Sequence, residues 1–348
     1  MTGGRALVAR MDNVGDVLLA GPCVRAVAAH SESVTLLAGP RGRAGAELLP
    51  GVDRVVTWCA PWIDPEPPAV TPSDIGGIVE RVRALEVDRA LILTSFHQSP
   101  LPLALLLRMA GVGWIGAISE DYPGSLLDLR HRVSGDPPEV ERALSLATAA
   151  GYSLPPGDDG KLAVREPLPD TRSLTGGPGY VVVHPAASVP ARQPSELRSA
   201  AIVTALTRAG HRVVVTGSPA DRELTAAVAG SHALDLGGET TMPELAAVLR
   251  HAIVVVAPNT GPAHLAAAVG TPVVSLFAPV VPAARWQPYG VPVAVLGDQH
   301  AACRDSRARI CPVAGHPCLE SITPDQVVQA AEELSADRHA GLRKGGVS

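Results

Sequence analysis

The stretch VAPNTGPAHLAAAVGTPVVSLFAP, residues 255–278, predicts a strand, a polar turn, a short helix and a second strand in direct succession. Pro262 fits the first turn of that helix, because the N–H that proline lacks would have no partner there. Thr260 or Gly261 is expected to cap the helix, and Gly270 to end it. A strand followed by a capped helix and another strand is typical of a parallel α/β sheet.

The same alternation of short β-rich runs and helical stretches continues in both directions along the 348 residues. The β-rich runs lie at 5–10, 33–39, 54–58 and 89–95 in the first half, and at 180–185, 212–217, 233–238, 252–258 and 272–277 in the second. Helical stretches between them include 17–30 and 74–86. The pattern predicts an α/β protein with two parallel sheets, each covered by helices on both faces.

Composition divides the chain into two domains. We expect a first domain over 1–152, a linker rich in Pro, Gly and Asp over 153–178, and a second domain over 179–323. A last helix is expected over 324–337, with Thr323 as its N-cap. Ligands of such sheets bind at the carboxyl ends of the strands, so two halves facing each other would place a site in a cleft between them.

Charge and composition exclude several classes of protein. The apolar fraction of 46% fits a globular chain, and the net charge of −5 argues against a nucleic-acid partner. No uncharged apolar run reaches the ~18 residues of a membrane span, and no signal peptide precedes the first strand, so we expect a cytoplasmic protein without a transmembrane segment. Five cysteines, an odd number, fit reduced thiols better than disulfides.

The polar turn at 257–264 is the first candidate binding site. A helix that begins here presents backbone N–H groups at the mouth of the sheet, where a phosphate would be favoured. Asn259 and Thr260 add hydrogen-bonding groups, Gly261 allows close approach, and His264 lies one turn into the helix. The alternative is a well-capped helix with a surface histidine.

A second polar turn, in the segment ARMDNVGDVLLAGP, follows the first strand. Asp16 stands where a helix begins, so its carboxylate is either an N-cap or a general base kept ionised by the helix terminus. Asp12 is a second candidate in the same loop, which also contains Asn13 and Gly15.

Four further positions in the second half are candidates for nucleotide contacts. The loop HPAASVPARQP offers Ser188 and one cation, Arg192, which could neutralise a diphosphate, although it could equally be a solvated surface charge. Asp221 could accept hydrogen bonds from ribose hydroxyls, or could simply lie in the first turn of a helix. Met242 could pack against a base, or be a buried core residue.

Patterns for metals and dinucleotides are missing from the sequence. The spacing of Cys303, Cys311 and Cys318, with His300 and His316 nearby, does not match the paired knuckles of a zinc site. No D-x-D and no G-x-G-x-x-G follows a strand, and neither of the two lysines stands four residues after a tyrosine. We therefore expect no metal and no cofactor, and a nucleotide-sugar epimerase is disfavoured.

These turns together resemble glycosyltransferase family 9, the ADP-heptose-dependent heptosyltransferases. The resemblance rests on RMDNVGDVLLAGPCVRAV, on VVVHPAAS with GSPAD, and most specifically on PNTGPAHLAAAVGTPVVSLFAP, in an order that holds over residues 5–335. It implies a GT-B fold, in which two Rossmann-like domains face each other across an inter-domain cleft. The acceptor would bind the first domain and the nucleotide-sugar the second, with the last helix crossing back to the first domain.

The resemblance also implies roles for individual residues. Asp16 matches the catalytic base, and the diphosphate-binding turn is matched by Asn259, Thr260, Gly261, Pro262 and His264. Arg192 departs from the family pattern, which more often has lysine followed by tryptophan. Asp221 stands where a glutamate often binds ribose.

The activity implied is an inverting, metal-independent transfer of heptose from ADP-heptose to an acceptor hydroxyl. We expect a monomer, with an oligomer as the alternative. The first domain, 1–152, has no lysine and no dense arginine patch beyond RGR at 41–43, which favours a small acceptor such as a nucleoside or an aminocyclitol. Three alternatives stay open: a lipopolysaccharide-core acceptor, a different nucleotide-sugar, and a nucleotide-sugar binding protein without catalysis.

Overall fold

The computed structural model describes residues 3–344, with side chains described as far as Ala336. It divides into two compact units, one ending at Arg165 and the other beginning at Glu166. This boundary lies within the segment 153–178, which is rich in Pro, Gly and Asp. Each unit consists of parallel strands alternating with helices, which confirms the predicted α/β class with two Rossmann-like domains.

The described part of the first unit forms a six-stranded parallel sheet in the order β3-β2-β1-β4-β5-β6. Its strands are β1 Arg5–Arg10, β2 Ser33–Ala38, β3 Arg54–Thr57, β4 Arg89–Ile92, β5 Trp114–Ile118 and β6 Leu129–His131. Its helices are α1 Val14–Leu19, α2 Gly21–Ala28, α3 Arg43–Leu48, α4 Pro72–Arg83, α5 Leu101–Met109 and α6 Glu139–Ala149. Leu7, Val8 and Ala9 are buried without interruption because helices cover both faces of the sheet.

The second unit repeats this topology in its described residues, with the sheet order β12-β11-β10-β7-β8-β9. Its strands are β7 Tyr180–Val183, β8 Val213–Gly217, β9 Leu234–Gly237, β10 Ala252–Pro258, β11 Val273–Leu276 and β12 Val293–Leu296. Its helices are α7 Arg172–Thr175, α8 Glu196–Arg208, α9 Arg222–Ala229, α10 Met242–His251, α11 Gly261–Ala268, α12 Ala283–Trp286, α13 Pro317–Glu320 and α14 Pro324–Lys344.

Strand order shows where each sheet can bind a ligand. The order reverses between β1 and β4 in the first unit and between β7 and β10 in the second. In an open parallel sheet, ligands bind beyond the carboxyl ends of the strands at such a reversal. The turns at 11–16 and at 259–264 follow β1 and β10, so each lies at the reversal point of its own sheet.

Two predictions about helices have different outcomes. The single helix predicted over 17–30 is wrong, because α1 ends at Leu19 and α2 begins at Gly21. Pro22, in the first turn of α2, cannot donate the backbone hydrogen bond that would continue α1. The N-cap at Thr323 is confirmed, since its hydroxyl accepts from the amide of Gln326, 3.3 Å away.

The last helix, α14, packs against α8 and against strand β10 of the second unit. Val327 and Ala331 are fully buried in the core that these elements share. The predicted helix over 324–337 was also expected to cross back to the first domain. Its predicted end, residue 337, lies beyond the last residue with a described side chain. Among the described residues, no helix is both long enough and apolar enough to cross a membrane.

Candidate active site

The first candidate site begins where β1 ends and α1 starts. Asn13 occupies the N-cap position of α1, and Asp16 lies in the first turn of the helix. Asp16 therefore does not cap the helix, which was one of the two roles considered for it. Its carboxylate Oδ1 instead accepts a hydrogen bond from Nη2 of Arg10, at 3.0 Å, and its side chain stays 20% exposed.

Arg10 is the centre of a buried ion network. Its three nitrogens face three different carboxylates: Nε is 3.0 Å from Asp12 Oδ2, Nη2 is 3.0 Å from Asp16 Oδ1, and Nη1 is 3.7 Å from Glu139 Oε2. Nε forms a close ion pair, but its N–H is not directed at a hydrogen-bond acceptor. Burial works against the charge of Arg10, but the three carboxylates together outweigh it and raise its pKa.

Asp12, the second candidate base, is more deeply enclosed than Asp16. Gln98 donates a hydrogen bond from Nε2 to Oδ1 of Asp12, at 2.6 Å. Burial raises the pKa of Asp12, although Arg10 and Gln98 both favour its charged form. Of the two aspartates in this loop, Asp16 is the one with a carboxylate more open to a substrate.

Several members of this network were missed from the sequence. Ser95 accepts a hydrogen bond from Arg10 Nη2 at 3.0 Å, and Gln98 binds Asp12; both follow β4, the neighbour of β1. Glu139 and Arg142 come from the first turn of α6. The only sequence signal for Glu139 and Arg142 is that they form an i, i+3 pair of opposite charges at the start of a predicted helix. Gly15, by contrast, was expected in this loop and is buried inside α1.

The second candidate site begins where β10 ends at Pro258. Thr260 is the N-cap of α11, which starts at Gly261 with Pro262 in its first turn. The Thr260 side chain makes no capping hydrogen bond, so its hydroxyl has no role in holding the helix. The amide of Ala263 already donates to the Thr260 carbonyl, at 3.1 Å, so fewer amides face outward than the sequence suggested.

Asn259 and His264 lie beside this helix terminus and are both buried. The Asn259 Nδ2 group is enclosed and has no hydrogen-bond partner among the described residues. Buried amide groups in native proteins are nearly always paired, so an enclosed donor next to a helix N-terminus calls for an acceptor that is not part of the protein. A diphosphate oxygen is such an acceptor. Because His264 is buried, it is not the surface histidine that the alternative interpretation expected.

Sequence reasoning also missed a buried pair at the neighbouring strand ends. His184 follows β7, and its Nδ1 is 3.0 Å from the Thr216 hydroxyl at the end of β8. Burial lowers the pKa of His184 to about 4, with the charge of Asp221 acting in the opposite direction. The imidazole is therefore neutral near pH 7.

The remaining candidates occupy loops around the second site. Ser188 is exposed, and Arg192 is half-buried at the end of the 3-10 turn Pro190–Arg192. Asp221 forms a capping box with Ser218, accepting at Oδ2 from the Ser218 amide at 2.8 Å, as its alternative interpretation predicted. Met242 is half-buried at the start of α10.

The five cysteines are all free. Burial, helped by the neighbouring thiols of Cys303 and Cys311, raises the pKa of Cys318 to about 12, so this thiol is unreactive at neutral pH. Within the part of the chain that the structure describes, no group of three His, Cys, Asp or Glu side chains is arranged to hold a metal ion.

Comparison with known proteins shows which family this chain resembles. The family model for glycosyltransferase family 9 (heptosyltransferase) matches residues 76–315. Two curated relatives, both lipopolysaccharide heptosyltransferase 3 of Escherichia coli, are 34% and 28% identical over 29% and 47% of this chain. The matching segments span 32% and 50% of the length of these relatives.

Solved structures extend the likeness to the whole fold. The ADP-heptose lps heptosyltransferase II of E. coli superposes with a TM-score of 0.72 and 20% identity, over 96% of this chain and 99% of that one. The iron-containing dodecameric glycosyltransferase TibC of enterotoxigenic E. coli gives 0.56 and 14%, over 97% and 77%. At these identities the likeness shows the GT-B fold. Because the family model covers more than half of the residues, the chain belongs to glycosyltransferase family 9, the heptosyltransferases.

Proposed function

We propose that this protein transfers a heptose from ADP-heptose to a hydroxyl group of an acceptor, with inversion at the anomeric carbon and without a metal ion. The observation that carries the proposal is the ion network around Arg10. It holds one carboxylate, that of Asp16, partly exposed at the reversal point of the first sheet. The family match begins at residue 76, so the role of Asp16 rests on this geometry and on the motif around it.

Asp16 is proposed as the general base. Arg10 occupies its Oδ1, and no described residue donates to its Oδ2, which leaves Oδ2 for the acceptor hydroxyl. The proton moves from the hydroxyl to Asp16 as the acceptor oxygen forms a bond to the anomeric carbon. The bond between that carbon and the diphosphate breaks, and ADP leaves with the electron pair. One displacement of this kind inverts the anomeric carbon.

The second unit is proposed to bind the ADP part of the donor. The N-terminus of α11, the enclosed Asn259 amide and the Thr260 hydroxyl would face the diphosphate, where they stabilise the charge that develops on the leaving group. Ser188, Gly261, Pro262 and His264 would complete this surface. Arg192 would supply the positive charge. Fixed dipoles and one cation would thus replace the divalent metal.

Asp221 and Met242 are proposed to hold the nucleoside. Oδ2 of Asp221 is engaged with Ser218, so a ribose hydroxyl would have to bind the other oxygen, Oδ1. Met242, half-buried at the start of α10, would pack against the adenine ring.

We propose a neutral or amine-bearing small acceptor, such as a nucleoside or an aminocyclitol, because two arginines of the first unit, Arg10 and Arg41, are already paired with carboxylates. Arg10 is shared by three carboxylates, and Arg41 by Asp64 and Glu66. Neither arginine therefore offers uncompensated positive charge for a phosphorylated acceptor. The names of the curated relatives favour the alternative, a glycolipid of the cell envelope.

Product analysis tests both parts of this proposal. The protein would be incubated with ADP-heptose and, separately, a nucleoside, an aminocyclitol and a phosphorylated Kdo–lipid A glycolipid; released ADP and product mass would be measured. We expect transfer to a small acceptor, with UDP- and GDP-sugars much poorer donors. Transfer to the glycolipid alone would move the acceptor to the alternative class. Donor binding without any product would leave a nucleotide-sugar binding protein.

A further inference from the structure

Glu139 is a buried carboxylate distant in sequence from the motif that contains Asp16. It is the first residue of α6, and only 3% of its side chain is exposed. Its Oε2 lies 3.7 Å from Arg10 Nη1 and 3.5 Å from Arg142 Nη1. Its Oε1 has no hydrogen-bond partner among the described residues. Burying a carboxylate is costly unless it is paired and hydrogen-bonded, and here only Oε2 faces the two arginines, so the arrangement needs an explanation.

The shape of the guanidinium group supplies one. The group is planar, and its nitrogens point in three fixed directions within that plane. One carboxylate stands at each nitrogen of Arg10, so Asp12, Asp16 and Glu139 together fix the plane of the group. Without Glu139, Arg10 would be free to turn and pair with both oxygens of a remaining carboxylate.

Arg142 attaches Glu139 to the sheet. Its Nη1 donates to the Thr94 carbonyl, just beyond β4, at 2.6 Å, and also faces Glu139. Burial lowers the pKa of Arg142, while the charge of Glu139 acts against that shift. Arg142 therefore fixes Glu139 at the end of α6 nearest the reversal point of the sheet.

The charges of the network also matter for proton transfer. It contains two guanidinium groups, Arg10 and Arg142, and three carboxylates, so it is one unit negative when all are ionised. The loop after β5 adds the carboxylate of Glu120 near Arg142, and in α3 Arg43 is paired with Glu47. A proton taken up from the acceptor by Asp16 would make the five-residue network neutral. The net negative charge of the network therefore favours the transfer of a proton from the acceptor hydroxyl to Asp16.

We propose that Glu139 and Arg142 are positioning residues for the transfer, acting through Arg10 to keep one oxygen of Asp16 available to the acceptor hydroxyl. This inference rests on the role proposed above for Asp16. Glu139 and Arg142 do not touch the substrate. They prevent Arg10 from pairing with both oxygens of Asp16.

Kinetics of Glu139→Gln test this role. We expect kcat to fall by up to about 100-fold, since small displacements of a catalytic group have effects of that size, while KM for the donor changes little. Because Arg10 would pair more closely with Asp16, the acidic side of the kcat profile should move to lower pH. Glu80→Gln breaks an exposed Glu–Arg pair with the same i, i+3 spacing and should change neither quantity.

A second pair of variants separates positioning from folding. Removing both partners in Glu139→Gln/Arg142→Gln leaves no isolated buried charge and should preserve the fold. We expect it to lose activity as Glu139→Gln does, and Glu139→Asp to recover part of it. Combined with Asp16→Asn, Glu139→Gln should cause no further loss, because both changes act on one step. A folded variant with unchanged kcat and pH profile, or fully additive losses, would overturn the proposal.

A crystal structure of Glu139→Gln decides the matter without activity. We expect the 3.0 Å contact of Arg10 Nη2 with Asp16 Oδ1 to be replaced by pairing with both oxygens. An Arg10 that stays in place contradicts the inference, whatever the enzyme does. A wild-type protein that transfers no sugar contradicts the proposed function instead, and the structure of the variant still tests the positioning role.

Discussion

Two aspartates of one short motif differ in how deeply their side chains are buried. Asp12 is enclosed between Arg10 and Gln98, and burial raises its pKa. Asp16 shares the same arginine, but its side chain is 20% exposed. Both residues belong to one motif, and nothing in the sequence distinguishes their surroundings. The residues alone therefore offered both candidates and the family resemblance singled out Asp16, while the side-chain contacts add that Asp16 is the more exposed of the two.

At the residue scale, the first prediction concerns Asp16→Asn. The amide keeps the shape of the carboxylate and can still accept from Arg10, but it cannot take up the acceptor proton. We expect transfer to fall by about 10²–10⁴, the usual contribution of a general base, with unchanged ADP affinity. Stopped assays of ADP release and calorimetry would measure the two effects. Turnover near that of the wild type would remove Asp16 from the mechanism.

A matched control for Asp16→Asn is Glu223→Gln. Glu223 is also an acidic residue in the first turn of a short helix, α9, but it is exposed. Its substitution changes the net charge by the same amount and should leave transfer unaffected. A comparable loss in this variant would mean that the effect of Asp16→Asn came from helix electrostatics rather than from proton transfer.

At the scale of elements, nine of the twelve strands in the described residues were predicted from the sequence, and β5, β6 and β12 were not. β1, β7 and β10 are buried on both faces, so they read as continuous apolar runs. β6 has only three residues, Leu129–His131, all half-buried, and β12 is half-buried throughout. Both lie at the edge of a sheet and were missed, but the inner strand β5 was missed as well, whereas the edge strands β3 and β9 were predicted. Edge position therefore does not by itself explain which strands the sequence left out.

Two threonine N-caps give the element-scale prediction. The Thr71 hydroxyl accepts from the Asp74 amide at 3.2 Å and caps α4, whereas the Thr260 side chain makes no capping bond to α11. Thr71→Val should therefore lower the free energy of unfolding by about 1 kcal/mol and leave ADP binding unchanged. Thr260→Val should change stability little and weaken ADP binding about 2- to 10-fold, the value of one hydrogen bond.

Urea titration and calorimetry on both threonine variants would check this contrast. Each variant serves as the control for the other, because the substitution and the position in the helix are the same. If Thr260→Val destabilised the protein as much as Thr71→Val did and left ADP affinity unchanged, the Thr260 hydroxyl would be a structural cap, and its proposed place in the donor site would be wrong.

At the scale of the whole molecule, the same strand order occurs in both units, and each candidate site lies at a reversal of that order. The motifs pointed to the turns after β1 and β10 because those turns contain unusual polar residues in a fixed spacing. They did not point to Gln98, Glu139 or His184, which approach from neighbouring strands or a distant helix. The order of the strands in a sheet decides which loops are neighbours, and that order cannot be predicted from a single sequence.

Stability toward acid is the whole-molecule property that His184 is expected to control. Burial lowers its pKa to about 4, whereas an unfolded histidine titrates near 6.5. Between these values the unfolded chain binds a proton that the folded protein does not, so stability is lost as pH falls from about 6.5 toward 4. The loss from this residue should reach about 3 kcal/mol. It should be absent above pH 7, where both states are neutral.

The variant His184→Gln should therefore lose less stability than the wild type between pH 7 and pH 4.5, as measured by urea unfolding at each pH. Glutamine can still bind the Thr216 hydroxyl but does not titrate. Burial also raises the pKa of Asp12 and of Glu139, which changes stability with pH in the opposite direction. Because the wild type and the variant both contain these two groups, their effect cancels in the difference in stability between the two proteins. His232→Gln makes the same substitution at an exposed histidine and should behave as the wild type. Equal acid sensitivity in His184→Gln and the wild type would show that the buried imidazole is not the group responsible.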